Sequence, residues 1–152
     1  QPMIDIIQQH HGTSLIRYFY VKSVEAGEDV AEDEFRYPGP KPQTKEAGVV
    51  MLADSIEATV RAAAVGGRLA SEKGESRDGV ETLTGIVDRI IAERLDDGQL
   101  NECDLTLREI EMIRRTFVQI LEGIYHPRVE YPSMPVKASP SAPAAPAASA
   151  AS

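Results

Sequence analysis

Two adjacent histidines near the start of the chain are the first residues whose types could carry chemistry. His10 and His11 end an apolar helical pattern and stand directly before Gly12. Neighbouring side chains on a helix point about 100° apart, so two imidazoles rarely face one point. At a helix end, however, the backbone can turn so that both rings reach one metal ion. The alternative is one core or capping histidine beside a solvated one.

An aspartate farther along the chain is the second candidate. Asp54 lies in the segment VVMLADSIEA, where it adjoins the apolar stripe of a predicted helix and does not sit opposite it. A carboxylate at such a boundary is partly desolvated and therefore seeks a cation or a hydrogen-bond donor. Carboxylate and imidazole together suit divalent ions such as manganese, iron or zinc. The alternative is an ordinary surface aspartate.

The loop FRYPGPKPQTKE, just before the helix of the second candidate, is the third feature. It places Arg36, Lys41 and Lys45 around a rigid Pro-Gly core. Cations fixed on a stiff loop suit phosphate oxygens, and Tyr37 or Phe35 could stack on a base. The alternative is a structural loop whose prolines set a turn and whose charges are solvated.

The composition limits the function classes. The chain has 152 residues, enough for one domain, and a net charge of -8. An acidic chain disfavours binding to a nucleic-acid polymer, although bound metal ions could still attract a small anionic substrate. The single cysteine, Cys103, permits no intrachain disulfide, fits a reducing compartment and is not expected to act as a nucleophile. No apolar stretch is long enough to span a bilayer.

Five helices are predicted to position these residues, and no useful β-alternation is present, so the predicted fold class is all-α. The helices are expected to start at Pro2, at a cap on Thr13 or Ser14, at Thr44, shortly before Leu83, and at a Thr106–Glu109 capping box. The first helix is expected to end at Gly12, the fourth at Asp97-Gly98, and the fifth at Gly123 and Pro127. The predicted apolar faces are Ile4 and Ile7; Leu15, Ile16, Phe19 and Tyr20; Val49, Leu52, Ala53, Ile56 and Val60; Leu83, Val87, Ile90 and Ile91; and Ile110, Ile113, Phe117, Ile120, Leu121 and Ile124.

The sequence divides into a domain over residues 1–132 and a tail over residues 133–152. The tail consists mainly of alanine, proline and serine, so it is predicted to be disordered. The segment Gly66 to Gly79 is polar and is predicted to be a mobile loop. His126, at the end of the last helix, is explained by the helix dipole. Because Gln1 enters directly into a helical pattern, we expect the chain to be a piece of a larger protein.

Three segments together resemble a known family. They are QQHHGTSLIRYFY, FRYPGPKPQTKEAGVVMLADSIEA and ECDLTLREIEMIRRTFVQILEGIYHPRVEYP, and the likeness extends from Pro2 to Pro132. The family is that of the seven-transmembrane receptors with an intracellular HD hydrolase domain. The resemblance implies the C-terminal part of an HD-domain-like helical bundle with two divalent metal ions, manganese or iron. It also implies hydrolysis of cyclic di-AMP to linear pApA by a metal-activated water, in the cytoplasmic domain of a membrane-anchored parent.

The same resemblance assigns the candidate ligands. The family's metal ligands run along the chain as a His, a His-Asp pair, a His, a His-His pair and a final Asp. His10 and His11 match the His-His pair and would hold one ion, whereas Asp54 matches the final Asp and would hold the other. The earlier ligands are absent, so this piece alone is expected to be inactive. The loop cations would have a secondary role in steering the substrate.

Two alternatives remain open at the level of sequence. The first is an HD-type hydrolase of another nucleotide, because the same ligands would serve a nucleotidase or a cyclic di-GMP phosphodiesterase. The second is a helical sensory or interaction module without catalysis, with which the acidic surface and the polar segment after Gly66 are compatible.

Overall fold

The computed structural model describes residues 2–70 and 79–125. Within these ranges the chain is mostly helical, which confirms the predicted all-α class. The helices are α1 Pro2–Gln9, α2 Arg17–Glu25, α3 Lys45–Val65, α4 Leu83–Asp96 and α5 Leu107–Tyr125, with a 3-10 helix at Glu32–Phe35. Two strands that were not predicted, β1 Leu69–Ala70 and β2 Glu81–Thr82, pair in parallel. Strands of two residues are too short to show alternation in a sequence.

Helix α3 is the centre of the fold. Its first turn is capped as predicted, because the Thr44 hydroxyl oxygen accepts a hydrogen bond from the Ala47 N–H at 3.2 Å. The helix contacts α1, α4 and α5. Its inward face and that of α4 form most of the apolar core, which includes Met51, Leu52, Ile56, Val60, Ile86, Val87 and Ile90. The side chain of Asp54 is therefore carried by a well-anchored helix.

The start of α5 also forms as predicted. The Thr106 N–H donates to Glu109 Oε2 at 2.8 Å, and the Glu109 N–H donates to Thr106 Oγ1 at 3.3 Å. These reciprocal bonds are the predicted capping box. The helix is described as far as Tyr125, so the expectation that Gly123 helps to end it is wrong.

The predicted apolar faces of α1 and α5 are only partly buried. On α5, Leu121 is buried, but Ile120 and Ile124 are 53% and 66% exposed. On α1, Ile4 and Ile7 are 54% and 63% exposed. A periodic pattern identifies the apolar side of a helix, but it does not tell whether another element covers that side. No described element covers these four side chains fully.

The predicted cap of the second helix is wrong. Helix α2 begins at Arg17, and its N-cap residue Ile16 has no side-chain hydrogen bond to the helix. Thr13 cannot serve as the cap because its hydroxyl bonds to Gln99 instead, with the Gln99 Nε2 donating at 2.9 Å. The Ser14 hydroxyl is buried without a partner. A contact distant in sequence thus replaces the local one.

Several predictions fall outside the described residues. These are the tail over residues 133–152, the roles of His126 and Pro127, and most of the polar segment between Gly66 and Gly79. They stay predictions.

Candidate metal centre

His10 lies in the turn that follows α1. Its Nδ1 is 2.7 Å from the Ile7 carbonyl oxygen, a distance at which a protonated Nδ1 donates a hydrogen bond. This tautomer leaves the lone pair of Nε2 free for a ligand. Metal-binding histidines in proteins usually have their second nitrogen fixed in this way. The bond therefore orients His10 as a metal ligand would be oriented.

The turn that presents both histidines depends on a left-handed glycine and a buried amide. Gly12 has a φ of +55°, and a Cβ built on it would lie 2.4 Å from Gln99 Oε1 and 2.7 Å from Met51 Cε. Gln99 is fully buried, and its Oε1 accepts a hydrogen bond from the Thr13 N–H at 2.9 Å. Only glycine fits this position without a shift of its neighbours. The sequence HHG is thus a structural unit.

His11 contacts two aromatic rings. Its ring centroid is 4.3 Å from that of Tyr37 with nearly parallel planes, and 3.9 Å from that of His10. Tyr37 is itself fixed, because its backbone N–H donates to the Ser14 carbonyl oxygen at 3.1 Å. An isolated antiparallel bridge between Leu15 and Arg36 also ties the Pro-rich loop to this turn. The loop therefore shapes the histidine site.

The structure brings Asp54 to the same place as the two histidines. Its Oδ2 lies 3.9 Å from Nδ1 of His11. One ligand atom from each of His10, His11 and Asp54 lies within 4.8 Å of the others. The chain segments that carry them are more than forty residues apart, so the convergence follows from the packing of α1 on α3. We call these three residues the His-His-Asp cluster.

Burial keeps His11 in the form that a metal requires. Desolvation lowers the pKa of His11, and the nearby His10 and Arg94 lower it further, against the attraction of Asp54. The imidazole is therefore neutral at pH 7, and the 3.9 Å approach to Asp54 is not a full ion pair. Two imidazoles and one exposed carboxylate are a donor set that suits a divalent ion of the manganese, iron or zinc type. The cluster fits a metal site chemically.

Arg36, a predicted substrate residue, is bound to carboxylates. Its guanidinium makes a two-pronged bond to Asp97, at 2.9 and 3.1 Å, and bonds to Glu32 at 2.6 Å. It also donates to the Thr13 carbonyl oxygen at 2.9 Å. The bonds to Asp97 and Glu32 raise the pKa of Arg36 further above its usual range. These contacts fix the loop to the end of α4 and favour the structural alternative.

The other loop residues differ in what they contact. Lys45 Nζ bonds to Glu109 Oε1 at 2.6 Å, which raises the pKa of Lys45. Lys41 has no carboxylate within 4.0 Å in the parts of the chain that the structure describes. Tyr37 uses one ring face against His11. The substrate role of each of these residues stays a prediction.

Arg94 is a residue of interest that sequence reasoning did not single out. It follows Ile90 by four residues on α4, so an arginine occupies a position of the apolar stripe. This placement is visible in the sequence and indicates a special role, because charged residues rarely occupy a core-facing position without a partner. Arg94 lines a cavity of about 580 Å³ between α2, α3 and α4. The lining does not include the His-His-Asp cluster.

Comparisons with known proteins find close sequence relatives. No family model matches the chain. The chain is 45% identical over 130 residues to the cyclic-di-AMP phosphodiesterase PgpH of Bacillus subtilis, and 46% identical over 132 residues to PgpH of Listeria monocytogenes. It is also 39% identical over 137 residues to the uncharacterized protein slr0104 of Synechocystis. The matches cover 86% to 87% of this chain, but only 15% to 17% of each relative.

Solved structures give the same result. The crystal structure of the L. monocytogenes PgpH HD domain in complex with cyclic di-AMP matches with a TM-score of 0.67 and 46% identity, over 86% of this chain and 56% of that one. A second crystal structure of the L. monocytogenes PgpH HD domain matches with a TM-score of 0.65 and 46% identity. None of the helices in the described ranges has the length and apolar composition to cross a bilayer. The chain is a homologue of the PgpH phosphodiesterases over a part of their length, and it has the fold of the matching part of their HD domain.

Proposed function

We propose that this chain is part of a metal-dependent phosphodiesterase that hydrolyses cyclic di-AMP to linear pApA. The observation that carries the proposal is the His-His-Asp cluster, whose ligand atoms lie within 4.8 Å of one another. It occurs in a chain that is 46% identical to an HD domain solved with cyclic di-AMP. A cluster of this chemistry in an unrelated fold would support only a metal site. Here the proposed reaction is taken from the activity named for the relatives.

The residues of the cluster would hold divalent ions, of which manganese or iron is proposed. When bound, such ions would neutralise phosphodiester oxygens and make a water molecule more acidic. The chain's own contribution is to orient the donors. The Ile7 carbonyl fixes the His10 tautomer, Tyr37 holds the His11 ring, and burial keeps His11 unprotonated. Three ligands do not complete two ion sites, so the chain alone is expected to be inactive.

The loop residues are proposed to assist with the anionic substrate. Lys41 is the cation proposed to contact the substrate, since Arg36 and Lys45 already pair with carboxylates. Those two are proposed to act mainly by holding the loop, and Tyr37 by holding His11, with its outer ring face left for a base. Substitution of Lys41 by glutamine should therefore raise the KM for cyclic di-AMP without a change in stability.

The test uses the protein expressed from its complete gene and loaded with manganese. Cyclic di-AMP turnover is followed by chromatography of pApA, and bound metal is measured by elemental analysis. His11→Ala and Asp54→Ala should each lose most of the turnover and part of the metal. Asp29→Ala is the matched control, because Asp29 is an exposed aspartate that does not belong to the cluster. Full activity in both cluster variants would remove these residues from the site.

Two other outcomes would favour the alternatives. Competition among cyclic di-AMP, cyclic di-GMP and mononucleotides in one turnover assay separates the substrates, and a preference for either of the others would change the assigned reaction. Absence of turnover and of metal binding would favour a non-catalytic sensory or interaction module. We also propose a membrane-anchored parent with this chain in the cytoplasm, which fractionation of the complete gene product would test.

A further inference from the structure

The side chain of Arg94 is partly buried and poorly bonded. Its Nε is shielded from solvent and has no hydrogen-bond partner. Its Nη2 donates to the Ser55 hydroxyl oxygen at 3.2 Å, a bond to a neutral group. A guanidinium has five N–H donors. Most of the hydrogen-bonding capacity of this side chain is therefore unused by the described protein.

The other arginines of the same cavity all have carboxylate partners. Arg17 pairs with Glu93 at 3.5 Å, Arg36 with Asp97 at 2.9 Å, and Arg89 with Glu81 at 2.8 Å. Of the cavity's arginines, Arg94 alone lacks a carboxylate within 4.0 Å among the described residues. The difference does not come from a shortage of acidic groups nearby, since the cavity wall also holds Asp96.

A partly buried cation without a carboxylate in contact is unfavourable for folding. Burial lowers the pKa of Arg94, and the attraction of Glu93 and Asp97 only partly opposes this effect. An arginine nevertheless keeps its charge at neutral pH. Removing one partner from a buried ion pair is among the costly changes in a protein. An anionic ligand that binds next to this guanidinium would supply the missing counter-charge.

The position of Arg94 connects the cavity with the cluster. Ser55, which accepts its hydrogen bond, directly follows Asp54 on α3. The guanidinium thus contacts the helical turn that bears the candidate ligand. Arg94 also lines the cavity of about 580 Å³, a size in the range of small-molecule sites.

We propose that Arg94 binds a phosphate group of the substrate, next to the His-His-Asp cluster and from the wall of this cavity. A planar fork of N–H donors matches two phosphate oxygens, and this geometry distinguishes arginine from lysine. The identity of the substrate rests on the proposed function, but the phosphate contact does not. Arg94 would therefore be a binding residue for whichever phosphate ester the cluster acts on.

The first experiment measures turnover in the complete gene product loaded with manganese. Arg94→Gln should raise the KM for cyclic di-AMP by roughly 10- to 100-fold, the loss of one or two charged hydrogen bonds. The bound manganese should stay equal to that of the wild type. Arg94→Lys should recover only part of the affinity. Arg17→Gln is the matched control, because it removes the same charge from the same cavity and should change the KM less than threefold.

A second measurement separates the inference from the proposed function. Inorganic phosphate is titrated into the metal-free protein and followed by phosphorus NMR line width. The wild type and Arg17→Gln should broaden the signal, and Arg94→Gln should not. If the wild type turns over no cyclic dinucleotide but this difference remains, the proposed reaction fails and the anion site stands. If turnover is normal and Arg94→Gln has wild-type KM and phosphate binding, the inference is overturned.

A third variant excludes a purely structural role. Arg94→Met removes the unpaired charge but keeps an unbranched chain of similar length, so the melting temperature should be unchanged or higher. A fall of more than about 5 °C, a large shift for a domain of this size, with phosphate binding retained, would instead assign Arg94 to the support of α3 through Ser55.

Discussion

Replacement of Gly12 by alanine is expected to destabilise the turn that carries the two histidines. The backbone there has a φ of +55°, and the new methyl group would lie 2.4 Å from Gln99 Oε1 and 2.7 Å from Met51 Cε. Neither neighbour can move freely. Both are fully buried, and the Gln99 amide is bonded to Thr13 and Asp97.

The expected loss has two parts. A left-handed conformation costs a residue with a Cβ about 1 kcal/mol more than glycine. Crowding of a packed interior by one methyl group costs typically about 1–3 kcal/mol. The sum is about 2–4 kcal/mol for Gly12→Ala. Gly27 offers a matched control, because its φ is +78° and a Cβ there would have no neighbour within 4 Å. Gly27→Ala should lose only the first part, about 1 kcal/mol.

Urea unfolding followed by circular dichroism measures both variants. With a slope of about 2 kcal/mol per molar urea, the midpoint should fall by roughly 1–2 M for Gly12→Ala and about 0.5 M for Gly27→Ala. The manganese affinity of Gly12→Ala should fall as well, since the turn orients the cluster. If the two alanine variants were equally stable, the steric argument for the turn would be refuted, because only Gly12 has close neighbours.

Three further predictions use the same protein. Hydrogen bonds from Lys45 and then from Thr106 lower the pKa of Glu109 from 4.5 to about 2, so its stabilising effect is present above pH 4.5 and is lost as the pH falls toward 2. Glu109→Gln should flatten the pH dependence of the unfolding free energy in that range; an unchanged slope would contradict the assignment. In urea unfolding, Ile56→Ala should lose about 2–5 kcal/mol, because Ile56 is 1% exposed, whereas the exposed Val65→Ala should change little. The thiol of Cys103 is buried, and burial raises its pKa, so Ellman's reagent should modify it only as fast as the protein unfolds.

The elements of the fold could largely be predicted from local signals. Thr44 and the Thr106–Glu109 pair have capping spacings that do not depend on the rest of the chain, and both caps form. The α3–α4 core follows from helical periodicity. The start of α2 was missed because the Thr13 hydroxyl bonds to Gln99, which is 86 residues away. A single sequence carries no local sign of such a partner.

The candidate site was predictable in its ligands and less so in its surroundings. His10, His11 and Asp54 were chosen by residue type and by the family likeness, and they lie together in the structure. The carboxylate partners of Arg36 and Lys45 come from α4 and α5, so the loop sequence alone could not reveal them. Arg94 is a charged residue at a position of the apolar stripe of α4, and this misfit is visible in the sequence itself.

The bond between Gln99 and Thr13 also affects the order in which the site can be built. During synthesis the two histidines leave the ribosome long before Gln99, which must arrive to shape the turn that aims them. Closing a loop of this length costs conformational entropy before the contact can stabilise the turn. A nascent or prematurely terminated chain would carry all three candidate ligands in an unaligned state. Premature capture of a metal ion by an unfinished polypeptide is thereby disfavoured.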